Sequence, residues 1–333
     1  METEARMYYE RFGSIPLRSV FFGGGTPTTL TLNGTRRLVA LIRRWFHVEP
    51  CIEWTIEANP ESLTPERLAV YSELGINRLS LGIQSIEPVE LDMLGRNHTQ
   101  HAIPSLKQLV TSAGFSSVNL DFMFGMRDQT IEALNRSIDW AIEWNPSHIS
   151  TYALSIEPGT VYAKTGMSTV NDDVQVDMMR LIQKRLMAAG FWHYETSAFC
   201  KPGFESQHNL AYWHYSPYIG LGPSAASFFD MMAYKQVSSL DRYCDNPTPP
   251  VLSHHTPIDG ATLKEHYLIA NLRRMSGVTF SEIMDNLGYN PWSNDDPNIQ
   301  KLRANAYLSS DLDRLQLTPR GLEIMTLILE ELL

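Results

Sequence analysis

Cysteine is scarce in this chain: 333 residues hold three, Cys51, Cys200 and Cys244, an odd and widely scattered set. That excludes a disulfide framework and fits a reducing compartment, either a bacterial cytoplasm or a mitochondrial matrix. Long apolar runs are missing too, with no uncharged apolar stretch of about 18 residues, so no transmembrane helix is expected. Basic runs are absent and the net charge is -10. Neutralising phosphates needs a basic face, so a nucleic-acid partner is excluded. The opening Met1-Glu2-Thr3-Glu4 is too acidic for a targeting segment, which leaves open only an import signal upstream of it. Without solenoid repeats or low-complexity tracts, the length suits one large barrel with a small appended domain.

What is present alternates. Short apolar runs predict strands at Ser19–Phe22, Glu53–Ile56, Arg78–Ile83, Ser117–Phe122, His148–Leu154 and Phe191–Ser197. Between them Leu38, Leu41, Ile42 and Trp45 follow helical spacing, as do Ile131, Leu134, Ile138, Ala141 and Ile142, and Val174, Met178, Leu181, Ile182 and Leu186. Thr64-Pro65 starts another helix, with threonine as cap and proline where its missing N–H costs nothing. This alternation is the pattern of parallel β/α units. The Pro-rich stretch Asn246-Pro247-Thr248-Pro249-Pro250 marks a boundary, giving a barrel domain over 1–245 and a mostly helical domain over 246–333.

Polar residues fall where the strands end. Gly23-Gly24-Gly25-Thr26-Pro27 follows the first strand, and its side-chain-free backbone can meet a small zwitterion directly, although the same run also serves a tight strand-to-helix turn. Glu57 closes the second strand, Gln84 the third, and Asp121 lies in the fourth. The C-terminal ends of parallel barrel strands converge on one mouth, so these groups are expected to face one ligand. Each alone also reads as a satisfied buried polar group. Arg96, in Leu94-Gly95-Arg96-Asn97-His98-Thr99, is a loop residue that either pairs with a carboxylate or stays solvated.

The blocks FFGGGTP, IEANPESLTPERL, GINRLSLGIQS, LGRNHT, NLDFMFG and HISTYALSIEPGT, in this order, resemble the radical S-adenosylmethionine (SAM) proteins related to oxygen-independent coproporphyrinogen III oxidase. The resemblance implies a radical-SAM-type (β/α) barrel with a small helical C-terminal domain. It implies SAM contacts at Gly24, Gly25, Thr26, Glu57, Gln84, Arg96, Asp121 and Ala153. A second signature, His208-Asn209-Leu210-Ala211-Tyr212-Trp213 followed by Tyr218-Ile219-Gly220-Leu221-Gly222-Pro223, is similar to the HemW-like heme-chaperone branch. It implies a heme or porphyrin ligand held by His208, Tyr212 and Trp213, and heme-accepting proteins as partners. Histidine suits axial ligation of iron, and the two aromatics offer flat apolar area to a macrocycle.

The chain departs from that family in one respect that bears on chemistry. Members carry a CxxxCxxC motif whose thiolates hold a four-iron four-sulfur (4Fe-4S) cluster, and no such motif occurs here. The strand that should carry it is also missing ahead of the glycine loop, so an incomplete barrel is expected. Arg127-Asp128 and Ala226 are smaller departures. Three readings follow: a HemW-like heme chaperone whose cluster segment is absent from this sequence, a degenerate heme binder, and a fragment of a coproporphyrinogen oxidase. The first is favoured because losing a barrel strand leaves unpaired edges. As given, the chain is not expected to cleave SAM, and the signature at His208 is expected in a loop at the barrel rim.

Overall fold

The computed structural model describes residues 1–96, 103–157, 160–164, 168–245 and 252–333. They pack as two compact units: Ser19–Val39 with Cys51–Ser206, and Met1–Arg18 with Ala40–Pro50 and Gln207–Leu333. The expected boundary at 246–250 lies outside the described residues, as do Asn97, His98, Thr99, Pro158 and Gly159.

The first unit is built on a curled half-barrel sheet of seven strands in the order β1-β2-β3-β4-β5-β7-β6. Their ranges are β1 Pro16–Phe22, β2 His47–Ala58, β3 Arg78–Gln84, β4 Ser117–Phe124, β5 His148–Ala153, β6 Trp192–Glu195 and β7 Ala198–Cys200. Strands β2 to β5 pair in parallel. The helices Leu32–Trp45, Pro65–Glu73, Ile131–Trp144 and Asp172–Ala188 lie where the apolar spacing predicts. Thr64 caps its helix by accepting the Arg67 N–H at 3.2 Å. Strand β3 is central and buried along Arg78–Ile83, with Leu79, Leu81 and Ile83 in the apolar core. The expected strand Phe191–Ser197 is found as β6, Trp192–Glu195, and it turns back on the unexpected β7 as an antiparallel hairpin. The Glu195 carboxylate causes the turn by accepting from Ser197 N at 3.1 Å and Thr196 Oγ1 at 3.3 Å.

The second unit holds a helix the sequence reading missed, Glu2–Phe12, and a three-stranded antiparallel sheet, β8 Ala226–Phe229, β9 Met232–Gln236 and β10 Leu252–Pro257. The β9–β10 pairing joins strands on either side of position 246. Beyond it lie the helices Gly260–Asn271, Phe280–Leu287, Pro297–Ala304, Pro319–Glu323 and Met325–Leu332, and a short ribbon of β11 Val278–Thr279 with β12 Arg314–Leu315. Their apolar faces share a core that includes Leu268, Leu272, Ile283, Trp292, Ile299 and Ile328.

Candidate functional site

Because side chains alternate along a strand, paired residues of neighbouring strands project from the same face. In the half-barrel one row is Glu57, Ser80, Asn119 and His148, and the next contains Gly82, Asp121 and Ser150. A sheet face this polar is the signature of a ligand-lining surface, since buried polar groups must each find partners. Asp121 accepts from Ser80 Oγ at 2.9 Å and Asn119 Nδ2 at 2.7 Å.

The glycine loop meets this row. A Cβ at Gly23 would lie 2.5 Å from the Phe21 ring and 3.1 Å from Glu57 Oε1, so only glycine lets the loop pass. Gly24 has a φ of 93°, in the region that disfavours side chains, and its N–H donates to the Glu57 carboxylate. A Cβ on Gly24 or Gly25 would meet nothing within 4 Å, so the loop borders open space. Thr26 works locally: its carbonyl accepts from Thr29 N at 2.9 Å and Thr29 Oγ1 at 2.7 Å, closing the turn Pro27–Thr29.

The carboxylates repel each other. Burial, and then the charge of Asp121, push Glu57 up to about 7, against the lowering effect of the Gly24 N–H. Asp121 is also raised by burial, opposed by Ser80, Asn119, the charge of Arg78 and Ser150. Two carboxyl groups beside an open loop make a site for a ligand that brings positive charge and hydroxyl donors.

Gln84 has a positive φ of 68° at a register irregularity of β3. A Cβ at Gly82 would lie 2.9 Å from Gln84 Nε2 and 3.5 Å from Asn59 Oδ1, so both amides converge over that glycine. Arg96 Nη1 donates to the same Asn59 Oδ1 at 2.6 Å. The structure thus gathers Gly24, Glu57 and Asp121 through direct hydrogen bonding and charge, sets the Gln84 and Asn59 amides over Gly82, and ties Arg96 to Asn59. Ala153 ends β5 in register with Phe124, three residues past the Asp121–Ser150 pair, so its methyl projects from the opposite face and its backbone alone is available. Asn59, Ser80, Asn119, His148 and Ser150 escaped the sequence reading; their signal was polar residues at alternate positions of otherwise apolar strands.

His208, Tyr212 and Trp213 lie in the second unit, on the helix Gln207–Trp213 and not in a loop. Spaced four apart, His208 and Tyr212 share a face, with ring centroids 4.8 Å apart at 82°. Tyr212 packs in turn on Tyr218 at 4.6 Å, and burial pushes its hydroxyl up to about 12. Trp213 projects about 100° further round and is covered by the Arg273 guanidinium at 5.0 Å. The His208 imidazole thus meets one tyrosine ring, Tyr212, which itself packs on a second, Tyr218.

Among the described residues no group of three His, Cys, Asp or Glu could hold a metal ion. Cys200 is buried on β7, while Cys51 and Cys244 are exposed, on β2 and on the helix Leu240–Asp245. These residues do not fit a 4Fe-4S cluster.

A half-barrel of parallel strands with a glycine loop and strand-end carboxylates defines a radical-SAM-type protein, and the sequence profile of the Radical SAM superfamily matches residues 3–141. The heme chaperone HemW of Bacillus subtilis (strain 168) is 31% identical over 297 residues, covering 86% of this chain and 78% of that one. HemW of Mycobacterium tuberculosis (strain ATCC 25618 / H37Rv) is 31% identical over 333 residues, covering 96% and 82%. This chain belongs to the HemW-like family of radical SAM proteins. Coproporphyrinogen III oxidase (HemN) of Escherichia coli, a solved radical SAM enzyme, superposes with a TM-score of 0.84 at 19% identity, covering 99% of this chain and 81% of that one, which shows a shared fold. Membership implies SAM and a 4Fe-4S cluster.

Proposed function

We propose that the protein is a heme-binding chaperone that also binds SAM as a ligand. The observation that carries this reading is the pair of carboxyl groups, Glu57 and Asp121, set against the open Gly24-Gly25 loop, in a chain whose relatives at 31% identity are heme chaperones. The donor set suits SAM. Glu57, Asp121 and the loop backbone would take its ammonium and ribose hydroxyls, with Gln84, Arg96, the turn at Thr26 and the backbone of Ala153 around it. When bound, SAM supplies a sulfonium and an adenosyl group. Because the residues present do not fit a cluster, no reductive cleavage is assigned to this chain.

Heme would be held by the second unit, with His208 toward the iron and Tyr212 and Trp213 beside the macrocycle, for release to a heme-accepting protein. No helix among the described residues is long and apolar enough to cross a membrane. The bacterial relatives support a cytoplasmic setting and give the mitochondrial alternative no support. The division into a barrel domain over 1–245 and a helical domain over 246–333 belongs to the same reading; its support is a buried cluster between Tyr267 and Leu332, against which Tyr215 from before the boundary also packs.

Heme titration followed by absorption tests the assignment. His208→Ala is expected to shift the heme spectrum and weaken binding about tenfold or more, while His193→Ala leaves both unchanged. A folded His208→Ala protein with unaltered spectrum and affinity overturns it. Anaerobic reconstitution and dithionite should yield no 5'-deoxyadenosine, although calorimetry detects SAM binding.

A further inference from the structure

His148 is a titratable group of the half-barrel with no exposed surface, and nothing said so far gives it a task. Its Nδ1 lies 2.6 Å from Asn119 Oδ1 and its Nε2 lies 2.8 Å from the Tyr194 hydroxyl. Asn119 settles the direction of both bonds. Its Nδ2 reaches Asp121 Oδ1 at 2.7 Å and Ser80 Oγ at 2.8 Å, which uses both of its N–H groups. Turning the amide over would set its oxygen against Asp121 Oδ1 and against Ser80 Oγ, whose one proton is already donated to Asp121 Oδ2. Asn119 Oδ1 therefore accepts, from Ser150 Oγ at 3.1 Å and from His148. It follows that His148 carries its proton on Nδ1 and offers the lone pair of Nε2 to the Tyr194 O–H. The Tyr194 oxygen in turn accepts the Ser206 N–H at 3.2 Å. Burial and the charge of Arg78 hold the imidazole pKa well below its usual value, so the ring is neutral, as a one-proton relay requires.

Donation thus runs in one direction through four hydrogen bonds that link five residues, from Ser206 to Tyr194, His148, Asn119 and finally Asp121. We propose that His148 is a positioning residue for the ligand-binding carboxyl group: as the Nδ1–H tautomer it fixes the Asn119 amide so that an N–H always faces Asp121, leaving that carboxylate's remaining lone pairs to a ligand hydroxyl or ammonium. The ligand half of this statement rests on the SAM reading of the site; the tautomer half does not. A buried histidine that merely filled space would leave SAM affinity unchanged when the Tyr194 hydroxyl is lost.

The test uses the full chain labelled with 15N-histidine, together with calorimetry with SAM. NMR at neutral pH is expected to show His148 as the Nδ1–H tautomer, and to keep it in Tyr194→Phe, which retains the ring and removes only the donor to Nε2, because Asn119 Oδ1 still accepts at Nδ1. SAM affinity should fall about three- to tenfold in Tyr194→Phe and about tenfold in His148→Phe. It should return to within about threefold of wild type in His148→Gln, whose amide restores one donor and one acceptor. His148→Phe is the variant at greatest risk of misfolding, and Tyr194→Phe keeps the test decisive if it does. A wild-type Nε2–H tautomer overturns the proposal, as does a folded Tyr194→Phe or His148→Phe protein with unchanged SAM affinity. Wild-type protein that fails to bind SAM strikes the ligand reading alone, and the tautomer then still decides the relay.

Discussion

Glu57 and Asp121 are paired acids, and that arrangement has a measurable cost. Glu57 is raised from 4.5 to about 7, so the folded state holds more protons than the unfolded state between those pH values. Stability linked to this group is complete below about 4.5 and is lost as pH rises through about 7. Glu57→Gln removes the charge while keeping the shape. It is expected to raise stability at pH 8 by about 2 kcal/mol, after allowing for solvent screening, with little effect at pH 4.5. Thermal denaturation at the two pH values checks this, and the same variant should bind SAM less tightly. The residues themselves were legible in the sequence, because a strand-end acid stands out from an apolar run. Their coupling was not: alternation tells which face a residue shares, but the register that sets Glu57 beside Ser80, and Ser80 beside Asn119, is a property of pairing between distant segments.

Elements were read well where the pattern is long and poorly where it is short. The helices at Leu32–Trp45 and Ile131–Trp144 run for 14 residues each, long enough for a period of about 3.6 to show. Gln207–Trp213 has 7 residues, too few for periodicity, so a helical signature passed for a loop. The β6–β7 hairpin hid in the same way, since its turn is made by the Glu195 carboxylate and not by glycine or proline. Glu2–Phe12 was overlooked although Ala5, Tyr8, Tyr9 and Phe12 follow helical spacing, because its acidic start was weighed only against targeting. Capping was visible at Thr64 and missed at Thr279, where a full box forms: Glu282 N donates to Thr279 Oγ1 at 3.1 Å and Thr279 N donates to Glu282 Oε2 at 2.8 Å. Thr279→Ala is expected to cost about 1–2 kcal/mol, and Thr64→Ala about 1 kcal/mol. Denaturant unfolding measures both, and a Thr279→Ala midpoint equal to wild type would refute the box as a stabilising feature.

At the scale of the whole molecule, the second unit is assembled from segments far apart in the chain. Glu4 shows how: it is 4% exposed, and its carboxyl accepts from Gln236 Nε2 at 2.6 Å, from Gly222 N at 3.2 Å and from the Tyr243 hydroxyl. Phe229 adds ring contacts with Tyr8 and Phe12, at centroid distances of 6.1 and 5.1 Å. The helix Glu2–Phe12 is thereby a structural part of the unit that also carries His208. Burial raises the Glu4 carboxyl pKa, so a neutral acceptor of the same shape is tolerated better than an apolar residue. Glu4→Leu leaves three donors unanswered and is expected to cost about 2–4 kcal/mol, whereas Glu4→Gln costs about half as much or less. Hydrogen exchange locates the damage. In Glu4→Leu the amides of 222–243 should exchange faster while those of β3 and β4 keep wild-type protection, because the Glu4 contacts all fall within the second unit. Equal loss of protection in β3 and β4 would mean that the two units unfold as one cooperative body, and the separation drawn from their packing would then have no energetic meaning.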